Sequence, residues 1–294
     1  MKIKILATGA TGLVGSRFVE MFSDKYEVAN MDLTTGVDIT KEETFKPFFD
    51  SHPDAQALIH LAAFTDTNKA FAETDDKNGI CYKVNVEGTK NIARICKERG
   101  IHLIHVSTDF VFDGKKETAY LEDDSVSPIE WYGSTKAMAE EVVKSSEASY
   151  SIVRLSYPYR ANYDLKPDII KKIRAGLESG KLYPQFQDTL ITPTLIDDIA
   201  RAFDKLIEQK PQGIFHAVGS DALSPYELAK KVATAYGFDP SVVKEGSLTE
   251  YLKTAQRPFA RKVIMSNEKT STILGLHFAT LGEGLAEIKK QQGI

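Results

Sequence analysis

The chain has 294 residues, 42% of them hydrophobic and 27% charged, which is too apolar for a disordered tail and long enough for one large domain or two. Lysine and arginine total 37 against 41 acids, and the resulting net charge of −4 argues against a surface built for nucleic acid. Two cysteines, Cys81 and Cys96, are too few for a disulfide framework. No stretch reaches the roughly 20 apolar residues of a membrane span, and Lys2 to Leu6 run into glycine with no signal-peptide core, so a cytoplasmic protein without a membrane partner is expected.

Short β-branched runs alternate with amphipathic stretches, the pattern of a parallel sheet covered by helices on both faces. Strands are expected at 2–8, 26–32, 57–63, 102–108, 151–157 and 213–218, with a short one near Val37. Helices are expected at 12–23, 41–50, 80–99, 132–145 and 195–209. Beyond Tyr157 the rhythm changes, because Pro158, Pro167, Pro184 and Pro193 break the chain around one helix at 168–179. Ser224-Pro225-Tyr226-Glu227 then marks another helix start, with serine as N-cap and proline in the first helical position. The expected fold is α/β, a Rossmann-type doubly wound parallel sheet with a smaller C-terminal α+β substrate-binding unit. Residues 1–156 would form the dinucleotide-binding domain, to which the chain returns at about 192–219, while 157–191 and 220–294 would form the substrate unit.

The first strand ends in Thr8-Gly9-Ala10-Thr11-Gly12-Leu13-Val14-Gly15, and a helix follows at once. Glycine allows a tight turn and close approach to a pyrophosphate, and the free amides and dipole of the new helix stabilise the anion. A tight strand-to-helix turn that binds nothing is the plainer alternative. Asp32, seventeen residues beyond Gly15 at the end of the second strand, can accept hydrogen bonds from adenosine ribose hydroxyls. Such an acid favours NAD(H) mildly over NADP(H), whose 2′-phosphate would need a cation, with Arg17 and Lys41 as candidates. Asp32 could equally cap a turn. Asp38 and Ile39 are placed to flank an adenine, or to form an Asp-Ile-Thr turn before the next helix.

Tyr132-Gly133-Ser134-Thr135-Lys136 puts a phenol and an ammonium on one helix face. A neighbouring ammonium favours the phenolate and would move the tyrosine pKa toward neutrality, as acid–base catalysis requires. Pairs at this spacing also occur by chance on solvated helices. Val106-Ser107-Thr108-Asp109, at the end of a central strand, supplies a hydroxyl at the edge where doubly wound sheets hold ligands, or a turn that satisfies its own backbone. The six histidines form no metal-binding constellation, and no metal is expected.

Together these residues resemble the extended short-chain dehydrogenase/reductase family. The resemblance rests on the glycine loop, His60-Leu61-Ala62-Ala63, Ser107-Thr108-Asp109, and Tyr132 with Lys136. Within it the chain looks most like the sugar-nucleotide-binding subgroup of dTDP-4-dehydrorhamnose reductases, through Ser107 to Gly114, Pro128, Tyr132-Gly133, Val84-Asn85, Thr192-Pro193-Thr194 and Arg257-Pro258. The resemblance implies an NAD(P)H-dependent oxidoreductase that reduces the 4-keto group of a nucleotide-activated 6-deoxysugar. Tyr132 would be the general acid, Lys136 its electrostatic partner and a cofactor-ribose ligand, and Thr108 the hydroxyl that holds the substrate carbonyl. Gly9, Thr11, Gly12, Leu13, Val14, Gly15, Asp32, Asp38, Ile39, Leu61, Ala62, Ala63, Thr65 and Tyr157 would line the cofactor with Tyr132 and Lys136. Thr108, Asp109, Phe110 and Arg257 would meet the substrate, although Arg257 could instead pack against Pro258.

Departures narrow the reading. Ser16-Arg17 stands where some members carry a glutamate linked to a metal-bridged dimer, so that dimer is not carried over and a homodimer without metal stays open. Arg160 replaces a frequent glycine, and Phe110 a usual tyrosine. A dehydratase would carry glutamate at position 110, which counts against dehydration. An epimerase, a reductase of another carbonyl such as a UDP-linked amino sugar, and a non-catalytic subunit like the regulatory subunit of methionine adenosyltransferase share much of the same pattern.

Overall fold

A computed structural model describes residues 2–294. Strands β1 (Ile3–Thr8), β2 (Tyr26–Met31), β3 (Ala57–His60), β4 (His102–Thr108) and β5 (Tyr150–Leu155) join Gly213–His216 in one parallel sheet. Its order is β2-β1-β3-β4-β5 and then Gly213–His216. All four residues of β3 are buried, because helices cover both faces. On one face Ile5, Ala7 and Ile59 pack against Phe203 and Leu206 of the Ile196–Gln209 helix. On the other, Leu6 and Leu58 meet Phe45, Ile92 and Cys96. The strand order reverses between β1 and β3, so the crevice above their C-terminal ends is where such a sheet takes its ligand.

The strand expected near Val37 is absent. Asp32 caps a tight turn at Leu33–Thr35, Gly36 follows at φ +81°, and the Val37 amide donates to the Asp32 carbonyl at 3.0 Å. Its backbone is spent on that turn and cannot join a ladder, yet Val37 and Ile39 still bury their side chains. The helix expected at 80–99 is interrupted as well. Ile80–Tyr82 and Thr89–Arg99 are α-helical, but Lys83–Gly88 is wound as a π-helix. The wider turn aims Asn85 inward, where it bonds Phe64 through both its oxygen (2.8 Å) and its nitrogen (3.3 Å) and donates to Thr135 Oγ1 at 3.0 Å. Asn85 thus ties the loop after β3 to the helix that carries Tyr132, a common use of a π-turn beside a functional site.

A second core lies beyond the sheet. Tyr159, Ile170 and Ile173 pack there against Leu228, Val232, Leu285 and Ile288, which come from helices Pro225–Ala235 and Leu281–Gln292. The first of these helices starts with the capping box that Ser224 and Glu227 suggest, at 3.1 and 2.9 Å. Between Glu268 and Leu274 the chain crosses back, and Leu274 and Phe278 pack into the core of the sheet.

Candidate active site

The glycine loop is shaped by contacts that leave no room for side chains. Gly9 sits at φ +68°, and a Cβ on Gly15 would lie 2.8 Å from both Ala10 Cα and the Gly9 carbonyl oxygen. A groove of 690 Å³ opens above, with Gly9, Thr11, Gly12, Leu13, Val14 and Gly15 on one wall. Leu61, Ala62, Ala63 and Thr65 form the facing wall, while Thr108, Asp109, Phe110, Tyr132, Lys136 and Tyr157 close the far end. An adjoining recess of 390 Å³ shares Gly9, Ala62 and Ala63 and adds Asp32, Asp38 and Ile39 with apolar Met31, Val37 and Val84. The two recesses bring together every residue named from the sequence for the cofactor, the acid–base pair and the substrate except Arg257; Arg17 and Lys41 line neither. Their form suits a dinucleotide: a mostly apolar recess edged by Asp32 and Asp38, a close-approach glycine turn and a polar end.

Asp32 caps the turn, the plainer of the two roles foreseen for it, and lines the smaller recess. Its carboxylate accepts from the Thr34 amide (2.7 Å), Thr11 Oγ1 (2.8 Å) and Asn30 Nδ2 (3.2 Å). Burial alone would raise its pKa, but these bonds hold it below the usual range, so it is an anion at the edge of the recess. Arg17 cannot serve a 2′-phosphate, because its guanidinium makes two 2.7 Å bonds to Asp197. Lys41 lies 3.4 Å from Asp38.

The helix Trp131–Ser145 presents Tyr132 and Lys136 to the groove. It starts one residue earlier than expected, because Glu130 caps it by accepting from the Gly133 amide at 2.9 Å. Gly133 is required there: a Cβ would stand 2.2 Å from the Phe110 carbonyl oxygen, so only glycine lets the Thr108–Phe110 turn press against the helix that carries Tyr132. The Phe110 ring meets Tyr132 edge-on at 5.4 Å.

The tyrosine's acidity differs from the expectation. Burial pushes the Tyr132 phenol up, with Asp109 adding to the shift and the Thr108 hydroxyl opposing it. Burial also takes Lys136 down to about 8, and its ammonium donates to the Val106 carbonyl at 2.7 Å. In the free protein, desolvation therefore outweighs any pull of the lysine on the phenol. Tyr132 is held as a neutral acid, ready to donate.

A smaller cavity of 50 Å³ lies next to this end, lined by Asp109, Phe110, Glu130, Tyr157, Leu190 and Phe259 among others. Tyr157 lines both this cavity and the groove and sits at φ +41°, a strained backbone for a tyrosine, held where its carbonyl accepts from the Thr194 amide at 3.2 Å. Arg257 lines neither recess. Its guanidinium stacks on Phe259 at 4.1 Å and stands 3.6 Å from Glu130, with Nε and Nη1 buried and unbonded.

The sequence reading missed several contributors. Tyr163 donates to the Thr11 carbonyl at 3.1 Å and Lys166 to Thr65 Oγ1 at 3.3 Å, so a proline-broken segment bridges the two walls of the groove. No periodicity marks it. Two departures from the family pattern meet each other: buried Arg160 donates to Ser16 Oγ (2.9 Å) and the Leu13 carbonyl (3.3 Å), and pairs with both oxygens of Glu20. Beneath β4, Ser107 and Arg154 converge on buried Glu140. Cys81 and Cys96 are buried, as small apolar residues would be.

Known proteins share this sequence pattern and fold. The model of the family described as the RmlD substrate binding domain matches residues 2–293. The probable low-salt glycan biosynthesis reductase of Haloferax volcanii is 28% identical over 96% of each chain. A dTDP-4-dehydrorhamnose reductase of Sinorhizobium fredii is 32% identical over 71% of each. The crystal structure of dTDP-4-dehydrorhamnose reductase from Bacillus anthracis in complex with NADP superposes with a TM-score of 0.88 at 26% identity, covering 99% of this chain and 100% of that one. The glycine cradle, the convergent Thr108, Tyr132 and Lys136, and a family match over nearly the whole length lead to one conclusion: the chain belongs to the RmlD substrate-binding-domain family.

Proposed function

We propose that the protein is an NAD(P)H-dependent reductase of the 4-keto group of a nucleotide-activated 6-deoxysugar. The observation that carries the reading is the gathering of Thr108, Tyr132 and Lys136 at the closed end of a groove that begins at a glycine cradle. When bound there, a reduced nicotinamide supplies the hydride. Gly9, Gly12 and Gly15 hold its pyrophosphate against backbone amides, and Asp38, Ile39 and Val37 border its adenine. Thr108 holds the sugar carbonyl, and Tyr132 gives its phenolic proton to the oxygen as the carbon accepts hydride, so no free alkoxide forms. Lys136 then faces the phenolate left on Tyr132 and moderates its charge. Phe110 borders the substrate at this end of the groove, and the segments 157–191 and 220–294 form most of the unit that receives it.

NADH is favoured in this reading. The anionic Asp32 would repel a 2′-phosphate, and of the two cations named for it Arg17 is held by Asp197 while Lys41 stands beside Asp38. The work belongs in the cytoplasm, where nucleotide sugars and reduced cofactor meet. The test is a panel of nucleotide-sugar ketones, dTDP-4-keto-6-deoxy-L-mannose first, with oxidation of NADH and NADPH followed by absorbance. Turnover on the dTDP substrate supports the reading. Tight cofactor binding with no oxidation by any ketone would instead indicate a binding subunit.

A further inference from the structure

Asp109 is the one acid at the reacting end of the groove, and it is only 5% exposed. Among the described residues it forms no ion pair. Each oxygen has one side-chain partner, and both partners are hydroxyls: Oδ1 faces Thr108 Oγ1 at 2.9 Å and Oδ2 faces Ser156 Oγ at 2.9 Å. A threonine hydroxyl has a single proton. If Asp109 is a carboxylate, which only accepts, that proton is committed to Oδ1, and Thr108 can turn only lone pairs toward a substrate carbonyl, which also only accepts. Two acceptors facing each other repel, so an ionised Asp109 disarms the residue that the proposed function asks to hold the carbonyl.

We propose that Asp109 acts as a neutral carboxylic acid that donates its own proton to Thr108 Oγ1, thereby turning the threonine's proton toward the substrate oxygen, while Ser156 continues to donate to the other carboxyl oxygen. Asp109 is thus a positioning residue, acting through Thr108. The inference rests on the reading that a carbonyl substrate occupies this end of the groove. The electrostatics agree with it. Facing Asp109 are Tyr132 and, at the start of its helix, Glu130; Tyr157 after β5; and Arg257, whose charge is offset by Glu130 at 3.6 Å. Lys136 is turned to the Val106 carbonyl. Burial pushes the Asp109 carboxyl up to about 6, with Ser156 and Thr108 opposing the shift in part. A neutral Asp109 also spares the phenolate formed on Tyr132 a like charge beside it.

Two measurements test this. Infrared difference spectra of the wild type with oxidised cofactor, recorded across pH 6, should show a protonated carboxyl that disappears as pH rises, is shifted by Ser156→Ala and is missing in Asp109→Asn. The pH profile of kcat/KM should fall above about pH 6 toward a level about a hundredfold lower, the usual loss of one carbonyl-holding donor. Asp109→Asn, whose amide donates to Thr108 at every pH, should lack that fall. A carboxyl ionised throughout, or the same fall in wild type and Asp109→Asn, overturns the proposal. If no nucleotide-sugar ketone is reduced, the proposed function fails, and the infrared measurement still decides the state of Asp109.

Discussion

Replacing Glu140 by alanine tests the support beneath the site. Glu140 and Arg154 are each 1% exposed and are joined by bonds of 2.9 and 2.7 Å, while Ser107 donates to the same carboxylate at 2.6 Å. Losing the carboxylate strands a buried guanidinium, whose remaining contacts are the Glu122 carbonyl at 3.3 Å, His216 Nε2 at 3.4 Å and the face of Phe112 at 5.0 Å. Removing one partner of a buried pair costs about 3–5 kcal/mol. In a chain of this size 1 kcal/mol moves Tm by about 2 °C, so thermal unfolding should begin about 6–10 °C lower. Because Ser107 precedes Thr108, kcat should fall as well. The double variant Glu140→Met with Arg154→Met removes both charges and should lose less than Glu140→Ala. Calorimetry and urea titration of the three proteins decide the matter. A single variant that loses under about 1 kcal/mol, or a double variant that loses more than the single, refutes the reasoning.

Gly133→Ala places a Cβ 2.2 Å from the Phe110 carbonyl, so it should displace the Thr108 turn and lower kcat about tenfold or more, with KM for cofactor little changed in steady-state assays. Asp32→Asn removes the anion that would face a 2′-phosphate and should shift the NADPH-to-NADH ratio of kcat/KM about tenfold toward NADPH, or about 1.4 kcal/mol; an unchanged ratio contradicts the role given to that carboxylate. Asp109 also links stability to pH. Its folded pKa of about 6 lies above the ordinary 3.8, so its contribution is full below the unfolded value and is lost as pH rises through 6. The loss amounts to about 3 kcal/mol at 1.36 kcal/mol per pH unit. Asp109→Asn should therefore be more stable than wild type at alkaline pH, the gap closing toward pH 4 in urea titrations.

The sheet, the glycine loop and the helix of Tyr132 and Lys136 were legible because each rests on local chemistry: period-two and period-3.6 burial, turns that only glycine fits, and two side chains four apart. Val37 shows the limit. Its β-branched neighbourhood reads as a strand, but hydrogen bonds around Asp32 and Gly36 claim the backbone first. The π-turn at Lys83–Gly88 keeps a helix-like pattern in sequence and reveals itself only through what Asn85 reaches. Glu140 with Arg154, and Arg160 with Ser16 and Glu20, are joined across gaps of 14, 144 and 140 residues that no local pattern encodes. The acidity of Tyr132 was misjudged for a related reason: the Tyr-Lys spacing is visible in sequence, whereas the depth of burial that dominates both pKa values is not.

The central claim is hydride transfer to a sugar carbonyl with Tyr132 as the acid. A single turnover of the protein with NADH deuterated at the reacting position and dTDP-4-keto-6-deoxy-L-mannose, followed by mass and proton spectra of the sugar, tests it most directly. The account predicts deuterium at sugar C4 in the wild type, and none with Tyr132→Phe under conditions where that variant still binds the cofactor. Deuterium retained wholly in the cofactor of the wild type, or transfer undiminished in Tyr132→Phe, would contradict it.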